Sequence, residues 1–217
     1  INLVISEDSQ PYDYNLIGVN LGKFKLRSIN GFLESDSLNF NRYISCRGLE
    51  YKPKSNLLIS FSEFVIYSGE NRPLDYSYLN PVSTHLEIER NNKQNRVGTN
   101  SGNGIWQLSI DYMLNPFTRI SSNFAFDEIA IDKSERDGGK NHSIAQSHQI
   151  NYSLIHIDDK IINFYLTYVN VGTPTFRHEL GRNNFVIRGK PLGWQNGSDG
   201  FESVSYTHLR AHETRGN

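Results

Sequence analysis

Apolar and polar residues alternate along several segments of the chain, and each of these segments predicts a β-strand. From residue 105 to residue 114, every second side chain is apolar and most of the side chains between them are polar. Segments 147–153 and 161–169 have the same alternation. Because successive side chains of a strand point to opposite faces, this period of two gives a sheet one apolar and one polar face. Along the whole chain, the pattern predicts roughly eight or nine strands.

The connections between these segments are of two kinds. Tight turns, each containing Pro, Asn or Asp, are predicted at 52–56, 115–118 and 157–160. Long polar loops are predicted at 68–103, 129–143 and 172–200, with a short helix near 82–91. Short turns that alternate with long loops are typical of outer-membrane β-barrels. A soluble antiparallel sheet with one buried face, as in a β-sandwich, has the same alternation and stays open as an alternative.

Charged residues mark two places within the predicted strands. Lys23, Lys25 and Arg27 alternate with less polar neighbours, which predicts a basic stripe on the wall of a lumen. Such a stripe could attract an anionic polymer, or it could serve only the solubility of the wall. The apolar run 57–61 loses its phase at Glu63, which predicts either a β-bulge or the point where the strand leaves the membrane.

The composition fits a sheet with one wet face. Hydrophobic residues make up 37% of the chain and aromatic residues 12%, and a wide barrel tolerates this polarity because only its lipid-facing band must be apolar. The net charge of −1 provides no general basic field for nucleic acid. No stretch approaches the roughly 18 apolar residues of a membrane-spanning helix. Cys46 is the single cysteine, which excludes an internal disulfide and a cysteine metal cluster.

The last fifteen residues differ in character from the rest of the chain. Residues 203–217, SVSYTHLRAHETRGN, resemble the translated sequencing adapter found at the ends of metagenomic reading frames. We therefore expect residues 1–202 to form the folded unit and residues 203–217 to be an artefactual tail outside the fold. A genuine polar tail is the alternative.

Several motifs occur in an order that is informative as a set. They are RGLEYKP at 47–53, YLNP at 78–81, FAFDEIAID at 124–132, TPTFRH at 173–178 and GKPLGW at 189–194. Together they resemble the capsule-assembly Wzi family of bacterial outer-membrane proteins, over about residues 27–202. Each motif alone is weak, and their order and spacing carry the resemblance.

The resemblance implies an all-β fold, a large antiparallel transmembrane β-barrel of roughly 18 strands. The chain would supply roughly half of it, as an open curved sheet, and would not insert alone because unpaired strand edges are costly in lipid. The family's role implies that the protein binds or anchors capsular polysaccharide at the bacterial cell surface, in the outer membrane and without chemistry. We expect capsular polysaccharide and outer-membrane lipid as partners, a monomer, and no nucleic acid, metal or cofactor.

Loop residues are the candidates for contact with sugar. Aromatic faces suit the apolar faces of pyranose rings, and amides and carboxylates hydrogen-bond hydroxyl groups. The predicted polysaccharide-binding residues are Tyr78, Asn80, Asp127, Glu128 and Trp194. The alternative for the aromatic residues and Asn80 is that they fold the loops onto the barrel. The acidic residues, with Asp132, Glu135 and Asp137, could also bind Ca²⁺ or form a solvated rim.

Catalytic motifs are missing from the sequence. It has no Gly-x-Ser-x-Gly elbow, no His-Glu-x-x-His zinc motif and no phosphate-binding loop. His148 follows Ser147 directly, and adjacent strand residues point to opposite faces. We therefore predict a protein that is not an enzyme. A passive porin is the first alternative, and an outer-membrane hydrolase, which needs a Ser, a His and an orienting group together, is the second.

Overall fold

The computed structural model describes residues 3–6, 9–90, 102–128, 143–157, 160–178, 181–195 and 199–209. The strands are β1 (Asp13–Leu21), β2 (Phe24–Ser35), β3 (Phe40–Lys54), β4 (Leu57–Glu70), β5 (Asn103–Asn115), β6 (Thr118–Glu128), β7 (Ser143–Ile157), β8 (Lys160–Val171), β9 (Val186–Ile187), β10 (Lys190–Pro191) and β11 (Asp199–Leu209). Within these residues, helical structure is limited to α1 (His85–Arg90) and two 3-10 turns, Tyr76–Leu79 and Gly181–Asn183. The prediction of an all-β fold is confirmed.

Nine strands form one antiparallel sheet in which each strand pairs with its neighbours along the chain. The order is β1-β2-β3-β4-β5-β6-β7-β8-β11, and β9 and β10 make a separate two-stranded hairpin. Within the described part of the chain the sheet is open, with β1 and β11 as its edges. No helix among these residues has both the length and the apolar character needed to cross a membrane.

The predicted tight turns lie at one end of the sheet, and the predicted long loops lie at the other. At one end, here called the turn end, tight turns join β1 to β2, β3 to β4 and β5 to β6. The opposite end, the loop end, carries the connections 71–102, 129–142 and 172–198, which match the three predicted loops. The short link between β2 and β3 was not predicted. There the Asp36 carboxylate accepts hydrogen bonds from the backbone N–H groups of Leu38 and Phe40, at 2.8 and 3.0 Å.

Pairing between strands assigns each side chain to one of two faces. Ser109 lies opposite Ser60 and Asn123, whereas Leu108 lies opposite Phe61 and Phe124. We call the first set the polar face and the second the apolar face. Gln107 on the polar face is 5% exposed, whereas many large residues on the apolar face are 36–62% exposed. These exposed apolar residues include Ile17, Val19, Leu21, Phe24, Leu49, Phe61, Ile110, Ile120, Ile150, Phe164 and Leu166.

The main core lies at the loop end, where segments outside the strands cover both faces of β3 and β4. On the polar face, residues 3–6, 172–178 and 181–195 form what we call the inner cover. Its buried residues, among them Leu3, Phe185 and Leu192, pack against Ile44 and Ile66 of the sheet. On the apolar face, residues 71–90 form the outer cover, whose core contains Tyr43, Val65, Tyr67, Tyr78 and Ile88.

Glu63 does not mark a bulge. Its pairing with Arg47 of β3 and Trp106 of β5 is continuous with that of the neighbouring residues, so the bulge that we predicted there is wrong. Glu63 stays on the apolar face at the border of the outer cover, where exposed positions give way to buried ones such as Val65 and Tyr67. The irregularity in β3 lies instead between Tyr51 and Lys54, next to the turn.

Strand β11 includes part of the segment that we expected to lie outside the fold. Its backbone pairs with β8 from Asp199 to Leu209, so residues 203–209 continue the sheet in the structure. Residues 210–217 lie outside the described residues. The adapter-like origin of the segment stays a prediction.

Candidate functional site

The polar face encloses a cleft of about 940 Å³. Its lining runs from Arg27 on β2 to Tyr165 on β8. Side chains on seven successive strands can line one cavity only if the sheet curves around it. The polar face is therefore concave and the apolar face is convex. This arrangement follows from the alternation seen in the sequence, because each strand contributes every second residue to the cleft.

Amide and hydroxyl groups dominate the middle of the cleft and bond to one another along a strand and across strands. The Gln107 amide donates to the Ser109 hydroxyl at 2.8 Å, and the Asn123 amide donates to the Ser147 hydroxyl at 3.1 Å. The Oε1 atom of Gln107 is buried and has no hydrogen-bond partner in the structure. Since an unpaired buried acceptor is costly, this atom is a ready acceptor for a ligand hydroxyl or for water.

The cleft also holds charged side chains, and these are paired. Arg27 contacts Glu50 at 3.0 Å on adjacent strands. Arg119 donates to both oxygens of Asp111, at 2.6 and 2.8 Å for the shortest contacts, and Ser121 donates to the same carboxylate at 3.0 Å. A bidentate pair of this kind fixes the guanidinium plane as well as the charge.

The inner cover packs on the polar face at the loop end, next to the cleft, and is held there by side chains of the strands. Arg42 donates to the backbone carbonyls of Arg182 and Asn184, at 2.6 and 2.8 Å. The Asn103 amide donates to the carbonyl of Asn183 at 3.1 Å, and the Asn183 side chain accepts from Ser68. Sequence reasoning missed these anchors, because the loop has no periodicity that would predict what it packs against.

Gly193 permits the closest approach within the inner cover, and we predict that its replacement will loosen the cover. A Cβ atom at this position would lie 1.8 Å from the carbonyl oxygen of Leu3, which is backbone and cannot rotate away. Gly193→Ala is expected to lower the free energy of unfolding by about 2 kcal/mol, as overpacking does. Gly18→Ala is the control, since the nearest atom to its Cβ is 3.9 Å away. Equal urea midpoints for the two variants would contradict the prediction.

Tyr78 is placed within the outer cover and its ring faces are both occupied. It is fully buried, stacks on Tyr67 at 4.2 Å between ring centroids, and has the guanidinium of Arg47 5.8 Å from its ring centre. Its backbone carbonyl accepts from the Ser45 hydroxyl at 3.0 Å. The ring therefore folds the loop onto the sheet, the alternative considered for it, and offers no face to a sugar.

The other predicted sugar-binding residues are dispersed rather than gathered into one site. Asn80 is exposed on the outer cover, where its side chain bonds to Val82 and Ser83 in a local turn. Asp127 accepts from the backbone N–H of Phe176 at 2.6 Å and so anchors the inner cover. Trp194 is half-buried against the inner cover. The side chain of Glu128, with Asp132, Glu135 and Asp137, lies outside the described residues.

The predicted basic stripe is divided by the turn between β1 and β2. Lys23 lies in that turn and is exposed, whereas Lys25 and Arg27 lie on the polar face. Arg27 lines the cleft, and its charge is compensated by Glu50. Among the described residues, no group of three or more metal-ligating side chains is positioned to hold a metal ion.

A serine and a histidine do meet, but on the convex face. The Oγ atom of Ser122 lies 3.0 Å from Nδ1 of His148, and the His148 ring packs against Phe124 and Tyr168. Within the part of the chain that the structure describes, no carboxylate or amide side chain orients this ring. The backbone N–H groups around Ser122 belong to the sheet ladder and cannot form an oxyanion hole. The contact is explained by the hydrogen bond that the two polar side chains form with each other on an otherwise apolar surface.

His85, in the outer cover, has a pKa that departs strongly from its ordinary value. Burial lowers the pKa of His85 to about 4, and the positive charge of Arg47 acts in the same direction. The unfolded value is about 6.5, so the neutral ring contributes its full stability above that pH. The contribution is lost as the pH falls towards the folded value.

We therefore predict that acid weakens the outer cover through His85. Between about pH 7 and about pH 5, the free energy of unfolding is expected to fall by roughly 2 kcal/mol from this group. His85→Phe should remove this part of the pH dependence, as measured from urea midpoints at the two pH values. An equally steep dependence in the variant would show that other groups cause it.

Comparison with protein-family models, with curated proteins and with solved structures found no match for the chain.

Proposed function

We propose that this sheet is a sector of a bacterial outer-membrane β-barrel that binds or anchors capsular polysaccharide at the cell surface, without chemistry. The observation that carries the proposal is the direction of burial. Apolar side chains point outward on the convex face and remain exposed, while polar side chains point into the concave cleft. A soluble protein buries its apolar face, whereas a membrane barrel turns that face to lipid.

The exposed apolar face has the features expected of a lipid-facing band. Ile120, Ile150 and Leu166 are consecutive cross-strand neighbours on this face. Exposure of so large an apolar surface is unfavourable in water, at roughly 25 cal/mol per Å². Trp106 lies at the border between the band and the outer cover, and its indole N–H donates to Glu63 at 2.8 Å. Tryptophan favours this position at the boundary between hydrocarbon and water.

The two open edges set a condition on the proposal. Every residue of β1 is exposed, and its outer backbone groups have no partner strand in the described sheet. In lipid each unpaired backbone group costs several kcal/mol. The proposed barrel therefore includes further strands between β11 and β1, and experiments on membrane function require the full-length protein.

The cleft and its cover support a binding function over a passive pore. Hydroxyl and amide groups recognise sugar hydroxyls by hydrogen bonding, and they line the cleft in rows. A porin needs an unobstructed lumen, whereas here the inner cover packs on the polar face at the loop end and is anchored by Arg42 and Asp127. Planar bilayers containing the full-length protein should accordingly conduct ions poorly, and porin-like conductance would support the alternative.

Capsule retention tests the proposed function. Deletion of the gene in an encapsulated host is expected to release capsule into the medium, and the wild-type gene should restore retention. A Gln107→Leu, Asn123→Leu variant should fail to restore it, since it removes two amides from the cleft. Leu49→Val, on the convex face, is the matched control and should restore it. Normal retention after deletion would refute the proposal.

The two tryptophans test which face meets lipid. Trp106 is on the convex face and Trp194 belongs to the inner cover. In full-length protein whose tryptophans outside this chain are replaced by phenylalanine, the Trp194→Phe variant reports Trp106, and its fluorescence should be quenched in brominated phospholipid. Fluorescence of the Trp106→Phe variant should be nearly unaffected. Equal quenching of both would contradict the assignment of the convex face to lipid.

A further inference from the structure

The charges that line the cleft are balanced within the wall itself. Among the described residues, the cationic side chains that point into the cleft are Arg27 and Arg119, and each contacts a carboxylate. They pair with Glu50 and Asp111, which also line the cleft. The side chain of Arg47 lies on the apolar face instead, where it contacts Glu63 at 3.4 Å. The wall therefore presents no uncompensated row of cations to a ligand.

A site built for a polyanion has a different pattern of charge. Recognition of carboxylate or phosphate groups along a polymer relies on guanidinium or ammonium groups that the ligand itself neutralises. In this cleft Asp111 already takes both hydrogen bonds of the fork of Arg119. A polyanion would have to displace Asp111 and Glu50 or approach them, and like charges repel.

The groups left for a ligand are neutral. Gln107 has a buried acceptor without a partner, and Ser109, Asn123 and Ser147 form the hydrogen-bonded row described above. Hydroxyl and amide groups both donate and accept, which matches the hydroxyl groups of a sugar. Lys25 lies on the same face but is not among the residues that line the cleft.

We infer that the cleft selects polysaccharides whose repeating units carry no net charge, either neutral or zwitterionic, and binds them by hydrogen bonds rather than by ion exchange. This inference rests on the proposed function, because it names the class of polysaccharide for the same site. In this inference, recognition does not depend on the attraction between an anionic polymer and the basic stripe.

Binding of purified capsular polysaccharides to the full-length protein in detergent micelles tests the inference. The probes are neutral, zwitterionic and polyanionic polysaccharides of similar length. Neutral or zwitterionic members should bind, with less than about a twofold change in Kd between roughly 50 and 500 mM NaCl. Binding confined to polyanions and lost at high salt would overturn the inference while leaving the proposed function intact. Binding of none of the probes would refute the proposed function itself.

Variants that release the paired cations provide a second test. Glu50→Gln with Asp111→Asn leaves Arg27 and Arg119 uncompensated, and affinity for the polyanionic probes should rise by roughly tenfold. Asp36→Asn is the matched control: it releases Arg182, 3.6 Å away, at the loop end and outside the cleft, so affinity should not change. Unchanged polyanion affinity in a double variant with native near-ultraviolet circular dichroism would overturn the inference.

Discussion

Replacement of Ile150 with lysine is expected to destabilise the full-length protein in lipid by about 3 kcal/mol, because a charge on the lipid-facing side of a barrel strand must leave water. Ile150 is 41% exposed on the convex face. Its cross-strand neighbours are Ile120 and Leu166. Neither has a polar side chain that could accept a hydrogen bond from the ammonium group of the new lysine. Reversible unfolding by urea in lipid vesicles measures the loss.

Gln149→Lys is the matched control for this prediction. Gln149 is the preceding residue of β7 and points into the cleft, opposite Ser121 and Thr167. The same lysine on the wet face is expected to cost less than about 1 kcal/mol. If Ile150→Lys were tolerated as well as Gln149→Lys, the convex face would be exposed to water and the membrane proposal would fail.

Arg47→Met is expected to have the largest effect of any single substitution considered, about 4 kcal/mol. Arg47 and Glu63 are each 7% exposed and lie in contact beneath the outer cover. Removal of the guanidinium leaves a buried carboxylate without its counter-charge. The backbone N–H of His85, at 3.0 Å, and the indole of Trp106 would remain as its donors. Urea unfolding followed by the fluorescence of Trp106 reports both stability and the local change.

The double variant Arg47→Met, Glu63→Gln separates lost charge compensation from lost packing. Glutamine keeps an acceptor for Trp106 and for His85 but carries no charge, so the double variant should regain more than half of the stability lost in Arg47→Met. Buried ion pairs behave in this way when their desolvation offsets their attraction. A double variant less stable than Arg47→Met would show that the pair does not act through charge.

The strands were predictable because their period is a local property of the sequence. Residues 105–114, 147–153 and 161–169 were predicted as strands and lie within β5, β7 and β8. Two turns were not predicted, the one between β1 and β2 and the one between β2 and β3, and neither contains a proline. In the second of these turns Asn39 adopts a φ of 56°, and a single asparagine in a polar stretch gives little warning of it.

The placement of the loops could not be predicted, because it depends on contacts between distant residues. From the sequence, Tyr78 in a polar loop could equally bind a sugar or hold the loop on the sheet. Its stacking on Tyr67 shows that it holds the loop. The pairing of Arg27 with Glu50 joins different strands, so the charge balance of the cleft becomes visible only with the register of the sheet. The alternation in the sequence predicted a polar face, but the ligand that this face can bind depends on pairings that only the tertiary structure shows.

The strictly sequential pairing of the strands also bears on how the protein forms and changes. Within the described sheet, no strand crosses another to reach its partner, so strands can be added to an edge one after another. Because the strands pair in sequence, the circumference of such a barrel can change during evolution. Duplication or loss of one hairpin would widen or narrow such a wall while leaving the remaining pairings undisturbed.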